Sequence, residues 1–206
     1  MYLPRHFKSP SPAATLGVVR NNAFGLLVST GSDASPSITH VPMLTETDGD
    51  HITAVIGHLA KANNHVEELT DGQRVTAVFS GPHAYVSPRW YESTNSVATW
   101  NYVSVHVHGR ITLTDATSTN ADVVSALSSE FEPEAPNGWA PDFDNETVRR
   151  MLDFIVSFRV EVDDVQAKFK LNQNRPVADR RGVVNALEQG SSDDRAIAEL
   201  MKGFDR

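Results

Sequence analysis

One run of residues, 103–113, alternates strictly between apolar and polar side chains. The apolar positions are Val103, Val105, Val107, Ile111 and Leu113, and the polar positions are Ser104, His106, His108, Arg110 and Thr112. Successive side chains of a β-strand point to opposite faces of a sheet, so this period of two predicts a long strand with one buried face.

Further strand patterns occur on both sides of this run. They cover 24–30, 37–44, 51–57, 74–81 and 157–171, and turn-rich loops between the first three predict an antiparallel meander. Helical patterns cover 12–22 after Ser11, a segment from Asn63 to about Gly72, two segments between 119 and 156 joined by a Pro/Gly-rich link, 183–189 and 193–203. Many antiparallel strands with few helices predict a mainly β fold with α (α+β), built as a closed or nearly closed barrel.

Length and composition limit the classes of protein that the chain can form. Its 206 residues predict one domain spanning 1–206. The absence of cysteine excludes disulfides, thiolate zinc sites and iron–sulfur clusters, and fits a cytoplasmic location. A net charge of −8 argues against a generally basic nucleic-acid surface. No segment has the roughly 20 apolar residues needed to span a bilayer, so we expect no membrane partner.

Residues 81–109 concentrate aromatic and imidazole side chains between two strands. The set is Tyr85, Trp90, Tyr91, Trp100 and Tyr102, with His83, His106 and His108. Aromatic planes with hydrogen-bonding edges suit the stacking of a flat heteroaromatic ligand. Tyr and Trp are also enriched in dimer interfaces, so composition alone leaves both interpretations open.

The segment GHLAKANN, residues 57–64, follows a predicted strand and precedes a predicted helix. Backbone amides near a helix start attract anions, and His58, Lys61 and Asn63 could add side-chain donors to a phosphate. A surface lysine and a capping asparagine explain the same pattern, so it is weak when taken alone.

Other candidate sites are less specific. His106 and His108 share a strand face and could provide two metal ligands, but a third ligand is not evident and a structural role is favoured. The segment 168–181 is locally basic, and we favour a solvated connection over a nucleic-acid contact. No nucleophile elbow, dinucleotide fingerprint or Walker loop is present, and no catalytic residue is identified.

Six blocks occur in one order along the chain: MYLPRHF, THVPML, GHLAKANN, GPHAYVSPRWY, TWNYVSVHVHG and KFKLNQNRPVADRRGV. Together they resemble the PaiB family of FMN-binding split-barrel proteins, which are often described as negative transcriptional regulators. The chain departs from the family pattern at Asn64, Ala98 and Asn172. The resemblance implies a six-stranded antiparallel split β-barrel of the FMN-binding type with peripheral helices, and a C-terminal helical extension from about residue 178. It also implies a homodimer that holds FMN between its subunits.

The resemblance further implies roles for seven residues. His58, Lys61 and Asn63 would bind the phosphate, Trp100 would stack on the isoalloxazine, Asn101 would meet its polar edge, and Lys168 and Gln173 would close the site from the partner chain.

Three functions remain open at this point. The chain could be a regulator that senses flavin or redox state, a flavin-dependent oxidoreductase or flavin reductase, or a haem-binding or haem-degrading protein. A haem protein would use His106 or His108 as an axial ligand. DNA is a conceivable partner that neither charge nor motif supports.

Overall fold

The computed structural model describes residues 1–133 and 138–204. Residues 134–137, which belong to the predicted Pro/Gly-rich link, and residues 205–206 lie outside the described part. The chain divides into two compact units. The first unit comprises Met1–Asn21, Ser80–Val105 and Gln166–Arg206, and the second comprises Asn22–Phe79 and His106–Val165. The single domain spanning 1–206 stays a prediction.

Six strands form a closed barrel. They are β1 (Phe24–Thr30), β2 (Pro36–Asp48), β3 (His51–Ala60), β4 (Arg74–Val86), β5 (Thr99–Thr114) and β6 (Ile155–Lys170), in the order β1-β2-β3-β6-β5-β4. The predicted meander is confirmed, because β1 pairs antiparallel with β2 and β2 pairs antiparallel with β3. β1 also pairs antiparallel with β4, and β3 with β6. The predicted barrel class is therefore confirmed.

The alternation in β5 is confirmed as a pattern of burial. Val103, Val105, Val107 and Ile111 are at most 1% exposed, while the polar positions between them are half-buried or exposed. Gly109 also lies on the buried side. The buried face of β5 therefore contains one position at which the side chain is only a hydrogen atom.

Six α-helices complete the described chain. They are α1 (Pro12–Asn21), α2 (Asn64–Glu68), α3 (Thr117–Phe131), α4 (Glu146–Met151), α5 (Val177–Leu187) and α6 (Ser192–Gly203). Helix α1 begins as predicted, with the Ser11 hydroxyl accepting a hydrogen bond from the Ala14 amide at 3.1 Å. No helix in the described ranges is long and apolar enough to cross a membrane.

Helix α2 has the predicted cap but ends earlier than predicted. Asn63 caps it, yet it stops at Glu68 instead of continuing to about Gly72. The backbone amide of Gly72 donates to the Ile111 carbonyl at 2.8 Å, and the Ile111 amide donates to the Gln73 carbonyl at 3.0 Å. Pairing with β5 therefore replaces the last predicted helical turn.

Each unit has its own core. In the second unit, Leu27, Met43, Val55, Phe79 and Phe158 are at most 2% exposed. In the first unit, the same holds for Val19, Phe169, Leu187, Ile197 and Met201. Burial of this many large apolar side chains is the main favourable contribution to folding.

Candidate functional site

The seven predicted ligand residues fall into two groups. His58, Lys61 and Asn63 belong to the second unit, whereas Trp100, Asn101, Lys168 and Gln173 belong to the first.

In the second unit, His58 and Lys61 each have a polar group that is weakly satisfied by the described residues. The buried Nδ1 of His58 has no hydrogen-bond partner among residues 1–133 and 138–204, and burial lowers the pKa of this imidazole. The backbone amide of Lys61 is fixed by the Phe154 carbonyl at 2.8 Å. Its ammonium lies 3.6 Å from the exposed carboxylate of Asp115. An exposed pair of this kind contributes little stability, so the Lys61 charge is available to an anion.

The Asn63 side chain, in contrast, is engaged at both ends. Its Oδ1 accepts from the His65 amide at 3.0 Å, and its Nδ2 donates to Thr39 Oγ1 at 3.3 Å. This is the helix-capping role that the sequence also allowed. A contact between Asn63 and a phosphate stays a prediction.

His65 is a supporting residue that sequence reasoning missed. It is only 4% exposed, with Nε2 2.9 Å from Ser29 Oγ and Nδ1 2.9 Å from Thr39 Oγ1. These contacts fix α2 to β1 and β2, directly after the 57–64 segment. Burial lowers the pKa of His65, with partial opposition from the charge of Glu68. No sequence signal distinguishes this histidine from an exposed one.

We expect acidification to destabilise the protein through its buried histidines. Burial lowers the pKa values of His58, His65 and His106, so protonation is more favourable in the unfolded chain than in the folded one. Their stabilising contribution is present above the unfolded pKa of about 6.5 and is lost as pH falls through the folded values. Urea unfolding at pH 7.5, 6.5 and 5.5 measures the loss.

The variant His65→Gln provides the control for this pH dependence. It cannot titrate, so its stability should fall less steeply than that of the parent between pH 6.5 and 5.5. Equal slopes for the two proteins would show that His65 does not contribute.

In the first unit, Trp100 has a half-exposed indole ring held by its neighbours. The side chain is 52% exposed. Its ring centroid lies 5.9 Å from that of Tyr85 in an edge-to-face arrangement and 6.0 Å from that of His83. Lys170 Nζ donates to Thr99 Oγ1 at 2.5 Å and also to the Trp100 carbonyl. Rings on β4 therefore orient the indole, while Lys170 on β6 holds the backbone of Trp100, and the indole can stack on a flat ligand.

Asn101 lies in the interior of the first unit. It is 0% exposed, and its Nδ2 donates to Met201 Sδ of α6 at 3.4 Å. Its Oδ1 has no hydrogen-bond partner in the described part of the chain. The predicted contact of Asn101 with the polar edge of the flavin stays a prediction.

Lys168 is enclosed by aromatic rings of its own chain. It is 7% exposed, and its Nζ donates to the Tyr2 carbonyl at 3.0 Å. The same nitrogen lies 5.5 Å from the ring centroid of Tyr2, 6.0 Å from that of Phe7 and 5.3 Å from that of Tyr102. Cation–π attraction of this kind stabilises a buried ammonium.

Gln173 shapes the turn that follows β6. Its Oε1 accepts from the Leu171 amide at 2.8 Å, and its Nε2 donates to the Phe169 carbonyl at 2.5 Å. The neighbouring Asn172 has φ of 63°, a conformation that asparagine tolerates well, and its Nδ2 donates to the Tyr91 hydroxyl at 3.2 Å. Closure of a partner's site by Lys168 and Gln173 stays a prediction.

The basic segment 168–181 is mostly engaged within the first unit. Besides the two lysines, the Arg175 guanidinium lies 4.8 Å from the Tyr91 ring centroid, and Arg180 donates to the Arg175 carbonyl at 2.8 Å. Arg181 is exposed. The segment is therefore packed more closely against the first unit than the solvated connection that the sequence favoured, and Lys168 within it is only 7% exposed.

The histidine pair on β5 lies near Thr76 on the neighbouring strand β4. The rings of His106 and His108 lie 6.2 Å apart, and His108 Nδ1 lies 2.8 Å from Thr76 Oγ1. Across the described residues, no group of three His, Cys, Asp or Glu side chains could hold a metal ion.

Comparison with known families identifies the family of this chain. A family model described as "Putative FMN-binding domain" matches residues 1–164. The chain belongs to this family. "Protease synthase and sporulation protein PAI 2" of Bacillus subtilis is 31% identical over 204 residues, which cover 98% of this chain and 97% of that protein. The resemblance to the PaiB family is thereby confirmed, and FMN is the cofactor that the family description names.

Solved structures show that the fold is shared with other proteins. The FAD and heme binding protein from Mycobacterium smegmatis has a TM-score of 0.58 at 15% identity, covering 79% of this chain and 73% of that one. The conserved hypothetical protein Rv2991 from Mycobacterium tuberculosis has a TM-score of 0.58 at 13% identity, covering 85% of this chain and 94% of that one. At these identities, the likeness concerns the fold alone.

Two local observations fit the chemistry of FMN, which combines a flat aromatic ring with a phosphate. The half-exposed indole of Trp100 offers a stacking surface. In the second unit, Lys61 offers a weakly paired ammonium at the surface. When bound, the flavin would supply redox chemistry, while the chain would supply binding and orientation.

Proposed function

We propose that the protein is an FMN-binding regulator that acts as a cytoplasmic homodimer and holds flavin at the subunit interface. The observation that carries the flavin part is the half-exposed indole of Trp100, which Tyr85 and His83 hold against one side. A large aromatic ring kept half in solvent loses hydrophobic stabilisation, and a flat ligand would restore it.

Individual residues have separate roles in this proposal. Lys61 binds the phosphate, because its ammonium is only weakly paired with the exposed Asp115 carboxylate. His58 supports this contact from β3, as the family resemblance implies. Asn63 keeps the segment in place through its cap on α2. Asn101, which is buried, supports the backbone at Trp100 through its contact with Met201.

The experiment is an FMN titration of the purified protein, followed by quenching of flavin fluorescence. We expect Lys61→Ala to weaken binding about 10- to 100-fold, because a hydrogen bond to a charged group contributes about 1.5–3 kcal/mol. Riboflavin, which lacks the phosphate, should bind the parent and Lys61→Ala equally. Trp100→Ala should weaken both ligands, because it removes the stacking surface.

Lys202→Ala is the matched control for Lys61→Ala. Lys202 is also a lysine with carboxylate partners at the surface, Glu188 and Glu199, but it has no proposed contact with the ligand. FMN affinity that is unchanged in Lys61→Ala would refute the phosphate assignment. Affinity that is unchanged in Trp100→Ala would refute the stacking assignment.

The regulatory part of the proposal is supported by the relative at 31% identity, which is named "Protease synthase and sporulation protein PAI 2". Light scattering of the protein as it elutes from a size-exclusion column, with and without FMN, measures its molar mass and thereby tests for the dimer.

A gel-shift assay with the promoter of the protein's own gene at low salt tests direct DNA contact. Because the basic segment is mostly engaged, we expect that any shift will be weak and will disappear as salt is raised.

The absorption spectrum separates FMN from its alternative. The structural relative from Mycobacterium smegmatis is named as a FAD and heme binding protein, so haem is the alternative cofactor. Flavin absorbs at about 370 and 450 nm, whereas haem has its main absorption band at about 400 nm. These wavelengths are properties of the cofactors themselves. NADH oxidation in the presence of FMN tests the flavin reductase alternative.

A further inference from the structure

A cavity of about 430 Å³ lies in the second unit, between α3 and strands β2, β3, β5 and β6. Its walls are mainly apolar and include Ile56, Phe158, Val123 and Ala126. The volume falls in the range of about 300–1,000 Å³ that is typical of small-molecule sites. None of the seven residues predicted to bind FMN lines this cavity, so it is separate from the proposed flavin contacts.

The charged groups of the cavity favour a cation. Arg159 is the one basic side chain among the described lining residues, against two acidic ones, Glu46 and Asp122. Its Nε donates to Glu161 at 2.7 Å, and its Nη1 donates to Glu46. Two carboxylates therefore offset the guanidinium charge, and they raise its pKa. Asp122, on α3, adds a further negative charge at the same cavity.

Hydroxyl groups complete the polar part of the lining. Thr112 and Thr114 of β5 and Thr119 of α3 contribute side-chain oxygens, which can accept hydrogen bonds from an ammonium group. An anionic ligand would instead meet the carboxylate of Asp122, and like charges at close range are unfavourable.

We propose that this cavity binds an organic cation, an apolar molecule of the size of one or two aromatic rings that carries a single protonated amine. The amine lies at the Asp122 carboxylate, since Glu46 is paired with Arg159, and the apolar body lies against Ile56, Val123 and Ala126. The charge of the site excludes FMN itself, whose phosphate is an anion.

The test uses three fluorescent probes of one shape with the full-length protein: 1-naphthylmethylamine, neutral 1-methylnaphthalene and anionic 1-naphthoate. We expect the amine to bind most tightly and the anion least tightly at low salt. Asp122→Asn should weaken the amine about two- to fivefold, as for an exposed ion pair, and should leave the neutral probe unchanged. Ala126→Phe should abolish binding of all three probes by filling the cavity.

Glu130→Gln is the control variant, because Glu130 is an exposed carboxylate of α3 that does not line the cavity. Thermal melts of every variant establish that it is folded. If Ala126→Phe does not fold, the affinity of Asp122→Asn for the amine is sufficient to test whether Asp122 binds the ammonium group. Tighter binding of the anion than of the amine, or equal loss of amine affinity in Asp122→Asn and Glu130→Gln, would overturn the proposal. A loss of FMN affinity in folded Ala126→Phe, together with competition between FMN and the amine, would show that the cavity is the flavin site.

Discussion

Gly109→Ala is expected to lower the free energy of unfolding by about 3 kcal/mol or more, the upper end for overpacking. Gly109 lies on the buried side of β5. A Cβ atom there would overlap the carbonyl oxygen of Glu161 and would lie 2.7 Å from Val160 Cγ1 and 2.9 Å from the Glu161 carbonyl carbon. Two of these three atoms belong to the backbone of β6, so a side-chain rotation cannot relieve the clash.

The matched control for this prediction is Gly17→Ala. Gly17 lies within helix α1, and a Cβ there would meet no atom within 4 Å. Alanine should stabilise this helix by about 0.5–1 kcal/mol, since glycine in a helix interior costs that much. Urea unfolding of the parent and the two variants measures both effects. The free energy of unfolding should fall in Gly109→Ala and rise in Gly17→Ala. A loss below about 1 kcal/mol in Gly109→Ala would mean that β6 moves away easily at Glu161.

The pattern of β5 shows how far the sequence predicts the fold. Alternation identifies which side chains of a strand share a face, and every buried valine of β5 was predicted in this way. The pattern does not show which backbone approaches that face. The need for glycine at Gly109 depends on the Glu161 carbonyl, which is 52 positions further along the chain. Close approach of this kind is a property of the tertiary structure.

The candidate site was predictable in its motifs and less so in the burial of single side chains. The motif around Trp100 does not distinguish its two neighbouring residues, yet Trp100 is 52% exposed and Asn101 is fully buried. Neighbours on a strand point to opposite faces, and the sequence alone does not show that the face of Asn101 is covered by α6. Lys168 looks like a surface cation in the sequence, yet three aromatic rings enclose it. Two of those rings belong to the first seven residues, at the opposite end of the chain.

Asn120→Ala is expected to destabilise the protein by about 3–5 kcal/mol, because it leaves several buried polar groups without partners at about 1–3 kcal/mol each. Asn120 of α3 is 0% exposed. Its Nδ2 donates to the carbonyls of Leu152 at 3.0 Å and Ile155 at 3.1 Å. Its Oδ1 accepts from the Ser157 amide at 3.2 Å and from the Ser157 hydroxyl at 2.7 Å. All four hydrogen-bonding positions of the amide are thus used, and no smaller side chain can replace them.

Asn145→Ala is the control variant for Asn120→Ala, because it measures the stability lost when an exposed asparagine is removed. Asn145 is exposed and caps α4, with its Oδ1 accepting from the Thr147 amide at 2.9 Å, so its loss should cost only about 1 kcal/mol. Water can replace the partner of an exposed cap, whereas the carbonyls and amide around Asn120 are buried. Because Asn120 ties α3 to Ser157, which lines the cavity, the Asn120 variant should also bind 1-naphthylmethylamine less tightly at a temperature where it remains folded. Equal destabilisation by the two substitutions, measured by urea unfolding, would show that water reaches the Asn120 network.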